Sequence, residues 1–148
     1  MHCVRSVLEN KVMRNCLLAF LAVFCLASCK PKRQVSVQQG PAIIEFDNDE
    51  RIHNFGTVSR QQGSISHDFV FVNKGSEPFV IHSTESSCGC LEAKYKKSPV
   101  RAGRESRITL VMDLKGVPDG YVKRSVYVNN NSQNRPNVRL ALEGIVEK

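Results

Sequence analysis

Ser64-Ile65-Ser66-His67-Asp68-Phe69-Val70-Phe71-Val72-Asn73, followed by Lys74-Gly75-Ser76, decides the fold class. Ile65, Phe69 and Phe71 point one way, while Ser66 and Asp68 point the other. A period of two belongs to an extended strand with one face buried. The Asn73-Lys74-Gly75-Ser76 cluster then breaks the run with a turn, since Asn and Gly tolerate positive φ.

The same period recurs on both sides. Upstream, residues 42–46 form a short apolar strand, Asn48-Asp49 marks a turn, and residues 52–58 form a strand bent at Gly56. Downstream, Glu77-Pro78 feeds a strand over residues 79–82, with Pro at its entry where a missing N–H is tolerated. Residues 91–106 read as irregular, with Pro99 and Gly103 inside them. Residues 107–113 place Ile108, Leu110 and Met112 on one face. Residues 121–129 do the same with Val122, Val126 and Val128, although Arg124 interrupts that face. A polar hairpin loop over residues 129–134 leads to a closing strand with Val138, Leu140, Leu142 and Val146 inward. No segment past Gly40 shows helical periodicity. About seven short strands with regular turn signals predict an all-β chain. The expected architecture is a single immunoglobulin-like β-sandwich over residues 42–148 that needs no cofactor.

Between two of these strands lies Ser86-Ser87-Cys88-Gly89-Cys90, the stretch best suited to chemistry. Six basic residues follow (Lys94, Lys96, Lys97, Arg101, Arg104 and Arg107). Three readings stand open for Cys88 and Cys90. They form a disulfide, structural or redox-active, or they pack as two reduced thiols, or they hold a metal. In an extended strand their Cα atoms would stand roughly 6.7 Å apart, the upper limit for a disulfide, so Gly89 is expected to tighten the chain. Two soft thiolates suit Cu(I), whereas Zn²⁺ needs further ligands, of which His82 is the nearest His in sequence. If the lysines fold back over the motif, they lower a thiol pKa and speed its alkylation.

The N-terminal part reads as an export signal. Residues 16–27 are an uninterrupted apolar run of twelve behind Arg14. A membrane-spanning helix needs about 20 such residues, so the run has the length of a secretory h-region. Met13 stands directly before the flank and is an alternative start. The run ends in Leu26-Ala27-Ser28-Cys29, which resembles the lipobox of bacterial lipoproteins. That resemblance implies a signal segment over residues 1–28 and acylation of Cys29, with a flexible tether over residues 29–41. Position 30 is Lys and not Asp, which by resemblance to the enterobacterial sorting rule argues for the outer membrane. The expected location is the bacterial cell envelope, facing the periplasm or the cell surface. Only Cys88 and Cys90 would then remain as thiols, in a compartment where disulfides persist.

The chain has 148 residues and a formal charge of +7, of which residues 1–28 carry +2. The remaining excess is spread along the chain, and no nucleic-acid module accompanies it. Signatures of a nucleophile elbow, a zinc-protease helix or a phosphate loop are absent as well. His67 and Asp68 are neighbours on a strand, so they face opposite ways and form no dyad. His53 and His67 read as isolated, structurally satisfied residues. Asn130-Asn131-Ser132 matches a glycosylation sequon but is expected only to keep the hairpin loop polar.

Five motifs carry a family resemblance: Phe55-Gly56-Thr57-Val58, Phe69-Val70-Phe71-Val72-Asn73-Lys74-Gly75, Pro78-Phe79-Val80-Ile81, Ser87-Cys88-Gly89-Cys90 and Pro99-Val100-Arg101-Ala102-Gly103. Together they resemble the bacterial family called domain of unknown function 1573, over roughly residues 46–146. Leu91 and Ala102 stand where that family usually has Thr and Pro. The resemblance implies an immunoglobulin-like domain similar to those of the ASPM-SPD-2-Hydin and major sperm protein type, which act as binding modules. The expected function is therefore a non-catalytic binding or scaffolding domain, lipid-anchored, with a protein or other cell-envelope partner. The alternative is a thiol redox or copper-handling protein working through Cys88 and Cys90.

Overall fold

The computed structural model describes residues 40–148. The expected signal segment over residues 1–28, Cys29 and the expected tether as far as residue 39 lie outside the described residues. Eight strands form two four-stranded sheets. They are β1 (Ile44–Phe46), β2 (Ile52–Ser59), β3 (Ser64–Asn73), β4 (Ile81–Ser86), β5 (Leu91–Tyr95), β6 (Glu105–Asp113), β7 (Gly120–Asn130) and β8 (Asn137–Glu147). One sheet has the order β1-β3-β6-β5 and the other β2-β8-β7-β4.

The alternation read from the sequence sets the inner faces. Phe69, Phe71, Ile108, Leu110 and Met112 from the first sheet meet Val122, Val126, Val128, Val138, Leu140 and Leu142 from the second, all buried. Burying each such side chain contributes about 1.5–3 kcal/mol. Phe79 fills the space at one end, its ring edge-on to Phe71 with centroids 5.0 Å apart.

Two readings change. Leu91–Tyr95 is a strand and not irregular chain, and it pairs with β6 from Leu91 opposite Met112 to Tyr95 opposite Ile108. This adds the eighth strand. Phe79 does not open β4. It exchanges backbone hydrogen bonds with Val100, and β4 begins two residues later.

The turn after β3 is a packed joint. Asn73 is fully buried, and its Nδ2 donates to the carbonyls of Glu77 (2.7 Å) and Val100 (3.0 Å). Its Oδ1 accepts from the Gly75 N–H at 3.0 Å. A Cβ on Gly75 would lie 2.1 Å from the Pro41 carbonyl oxygen, so only glycine lets residues 41–43 cross there.

The polar loop after β7 is likewise structural. Asn134 brackets Ile44 of β1, accepting from its N–H (3.1 Å) and donating to its carbonyl (2.8 Å). Asn131 accepts from the Val80 N–H at 2.8 Å and donates to the Pro78 carbonyl at 2.9 Å. Asn130 is 6 % exposed and Ser132 2 % exposed, so the sequon is folded into the protein.

β2 runs parallel to β8 and is bent where Phe55-Gly56 cross Gly144, between the pairs Asn54–Glu143 and Thr57–Ile145. Gly56 has φ 72°. A Cβ on Gly144 would come within 2.5 Å of the Gly56 carbonyl oxygen and the Phe55 ring.

Candidate functional site

Cys88 and Cys90 lie on the four-residue crossover from β4 in one sheet to β5 in the other. They are joined in a disulfide with a Cα–Cα distance of 5.2 Å. The crossover is held at every step. Ser86 Oγ donates to the Leu91 carbonyl at 2.6 Å. Ser87 exchanges hydrogen bonds with Ser125 of β7, by its N–H (2.9 Å) and by its Oγ (3.0 Å). The Cys90 carbonyl accepts from the Asp113 N–H at 2.8 Å, which ties the turn to β6. Both cysteines pack partly against the core. Gly89 differs from expectation, because its φ is not positive and a Cβ there would meet open space. The turn is centred on Gly89 and Cys90 and closed by the Leu91 N–H donating to the Cys88 carbonyl at 3.4 Å, without a positive φ at the glycine.

A hollow of about 470 Å³ opens beside Cys90, lined by Ser64, Gly89, Glu92, Asp113 and Lys115 among others. Two carboxylates and one ammonium group thus accompany the disulfide. The basic segment is elsewhere. Lys94, Lys96 and Arg107 line a second hollow of about 480 Å³ with Glu105. Lys97 lies over the Tyr95 ring, 4.0 Å from its centroid. Arg101 and Arg104 belong to the turn that closes on Asn73, whose N–H donates to the Arg104 carbonyl. Asn73 and Ser64 are opposite ends of β3, about 30 Å apart by strand rise, and Ser64 is the end beside Cys90. Arg101 and Arg104 therefore do not fold back over the thiols, and Lys94 pairs with Glu92 at 3.7 Å.

His82 is exposed on β4, at the register shift between Ile81 and Ser83. Four residues of strand, about 13 Å, separate it from Ser86, so it does not join Cys88 and Cys90 in one ligand set. With both sulfurs bonded to each other, this state of the pair offers no thiolate to a metal.

His53 and His67 are not isolated. Their rings stack with centroids 3.5 Å apart and planes 7° from parallel. Glu50 Oε1 lies 3.2 Å from His53 Nδ1 and 3.2 Å from His67 Nε2. Sequence spacing hides this contact, since β2 and β3 belong to different sheets.

The outer face of the β2-β8-β7-β4 sheet carries large exposed side chains. Tyr121 and Ile145 are directly opposite each other across β7 and β8, 66 % and 43 % exposed. The Tyr121 hydroxyl donates to Glu143 Oε2 at 3.1 Å, and Lys123 reaches the same oxygen at 2.6 Å. These bonds hold the Glu143 carboxyl below its ordinary range, Lys123 being the larger cause. Further along, Arg139 lies 6.0 Å from the Tyr127 ring centroid and donates to Ser125 Oγ at 3.0 Å.

A family model described as protein of unknown function (DUF1573) matches residues 44–146. No curated protein matches the chain. Among solved structures, a protein of unknown function from Porphyromonas gingivalis W83 is similar with a TM-score of 0.60 and 14 % identity, covering 70 % of this chain and 46 % of that one. The chain thus spans about half the length of that relative. The ASH / PapD-like domain of human CEP192 (PapD-like domain 7) gives a TM-score of 0.57 at 11 % identity, covering 73 % of this chain and 87 % of that one. The secreted serine protease VesC from Vibrio cholerae gives 0.52 at 12 % identity, covering 70 % of this chain and 23 % of that one. At such identities the likeness is one of fold, an immunoglobulin-like sandwich of the PapD-like kind.

Proposed function

The chain belongs to the DUF1573 family, and from that membership and its immunoglobulin-like sandwich we propose that it is a non-catalytic binding module held at the bacterial cell envelope by a lipid on Cys29. The observation that carries the binding reading is the outer face of the β2-β8-β7-β4 sheet. Tyr121, Ile145, Tyr127 and Ile52 are each more than 40 % exposed there. Tyr121 faces Ile145 and Tyr127 faces Arg139, with the Lys123–Glu143 pair between them, and this mix of aromatic, aliphatic and charged side chains has the composition of a protein-binding patch. Exposed tyrosines lose little conformational entropy on docking, which suits them as anchors. The partner in this reading is a protein of the envelope.

The double variant Tyr121→Thr, Ile145→Thr tests this. Both side chains face solvent and threonine suits a strand, so the variant stays folded, and it loses the protein that co-purifies with the wild type. Equal recovery of that protein by both would remove the face from the interaction.

Anchoring rests on the Leu26-Ala27-Ser28-Cys29 motif behind the apolar run. Intact mass of the membrane-extracted protein is expected to begin at Cys29 with acyl groups, and Cys29→Ser is expected to accumulate as uncleaved precursor. A soluble protein beginning at Met1 or Met13 would refute it.

A further inference from the structure

We propose that Glu50, His53 and His67 form a binding site for a divalent cation of the zinc class. The three come from separate places. Glu50 follows the 3-10 turn Asp47–Asp49, where its N–H donates to the Asp47 carbonyl and holds the residue in position. His53 is the second residue of β2, and His67 lies on β3 in the opposite sheet. Both rings enter the gap between the sheets. His67 is further fixed by Phe69, whose ring it meets at 80° with centroids 4.8 Å apart.

The distances are those of a ligand set. A tetrahedral site with bonds near 2.0–2.1 Å has ligand atoms about 3.3–3.4 Å apart. Glu50 Oε1 is already 3.2 Å from both imidazole nitrogens, and all three ligand atoms lie within 4.8 Å of one another. The three ligand atoms are thus within reach of one ion. The parallel stack does require one change, because two parallel rings cannot both aim a lone pair at a shared point. His53 sits on the edge strand β2 and is the ring free to tilt.

A second observation points the same way. His67 Nε2 is buried and makes no hydrogen bond, since the Glu50 oxygen is close but poorly aligned with the ring. A buried polar atom without a partner is uncommon and asks for one. A metal ion supplies it along the lone-pair direction. Two imidazoles and one carboxylate suit Zn²⁺ and its neighbours Cu²⁺ and Ni²⁺. They lack the thiolates that favour Cu(I) and the oxygen count that favours Ca²⁺. Glu50 is exposed, so water completes the shell. An ion here joins β2 of one sheet to β3 of the other and clamps the open edge of the sandwich.

The test uses the full chain with its thiols alkylated, titrated with zinc chloride by calorimetry and melted with and without zinc. The expected result is one equivalent bound, a melting temperature raised by zinc, and shifted imidazole signals for His53 and His67 in the NMR spectrum. Glu50→Gln leaves an exposed, isosteric side chain and a folded domain, and it is expected to weaken zinc binding by at least about tenfold. His67→Gln is expected to abolish the thermal shift. An unshifted wild-type melt would overturn the site, as would equal zinc affinity in the wild type and Glu50→Gln.

Discussion

The side-chain amide of Asn73 donates to the carbonyl of Val100 at 3.0 Å, across 27 residues of chain. The same amide holds the Glu77 carbonyl and the Gly75 N–H, so one buried side chain closes the β3 turn onto the loop after β5. Asn73→Leu takes these partners from the Glu77 carbonyl and the Gly75 N–H and leaves the Val100 carbonyl with the Phe79 N–H alone. A loss of about 2–4 kcal/mol is expected in urea unfolding. A change below about 0.5 kcal/mol would mean that water reaches the joint.

Phe55 and Gly144 make a second prediction. A methyl on Gly144 meets the Phe55 ring and the Gly56 carbonyl oxygen at 2.5 Å. Gly144→Ala is expected to destabilise by about 1–3 kcal/mol, since β2 must shift outward. The companion Gly89→Ala meets open space and is expected to melt as the wild type does. Equal effects from the two substitutions would contradict this packing account.

The Cys88–Cys90 bond closes a ring over one residue. Loop-closure entropy for so short a ring amounts to about 1.6 kcal/mol at most. The crossover is also pinned by Ser86, Ser87 and the Cys90 carbonyl without it. Cys88→Ser with Cys90→Ser is expected to fold and to melt only a few degrees lower. With Glu92 and Asp113 sharing the hollow beside Cys90 with a single cation, Lys115, the reduced thiols are expected to alkylate no faster than free cysteine. Rapid alkylation near neutral pH would revive the redox reading, and a melting point that collapses on reduction would make the bond a staple.

Asp68 sets the acid limb. Its carboxylate accepts from Thr109 Oγ1 at 2.6 Å and from Arg107 at 2.9 Å, and these bonds hold it below its ordinary value of 3.8, with Thr109 the larger cause. Folding therefore favours the ionised form. The resulting stability is present above about pH 4 and fades as pH falls through the lower folded value. Asp68 is half exposed, so the effect is no more than about 1 kcal/mol. Asp68→Asn is expected to be less stable than wild type at pH 7, with the difference shrinking as pH falls below the ordinary carboxylate value. A gap that persists at low pH would assign the loss to packing.

Much of this architecture is legible along the chain, because the β3, β6 and β8 faces alternate with large side chains such as Phe69, Leu110 and Leu140. β5 is less visible. Leu91, Ala93 and Tyr95 do alternate with Glu92 and Lys94, but the central small residue and the flanking charges mute the pattern. The crossover position of Cys88 and Cys90 follows from having a strand on each side. Their surroundings do not, since Glu92 and Asp113 are brought together by β5–β6 register, and Arg101 and Arg104 are carried to the far end of the sandwich by strand direction. The Glu50-His53-His67 cluster depends on which strand edges of two different sheets face each other, a property that no local pattern records. Asn131 and Asn134 look like loop polarity until their backbone partners, 51 and 90 residues away, are in view.

The binding reading is tested most directly by photo-crosslinking in intact cells. A benzoyl-phenylalanine placed at Ile145 samples the exposed face beside Tyr121, and one placed at Lys94 samples the outer face of the other sheet. The account predicts a discrete protein adduct from position 145 that is absent from position 94 and is lost when Tyr121→Glu is added. Adducts equal at both positions, or none from position 145 while the protein sits at the membrane, would contradict it.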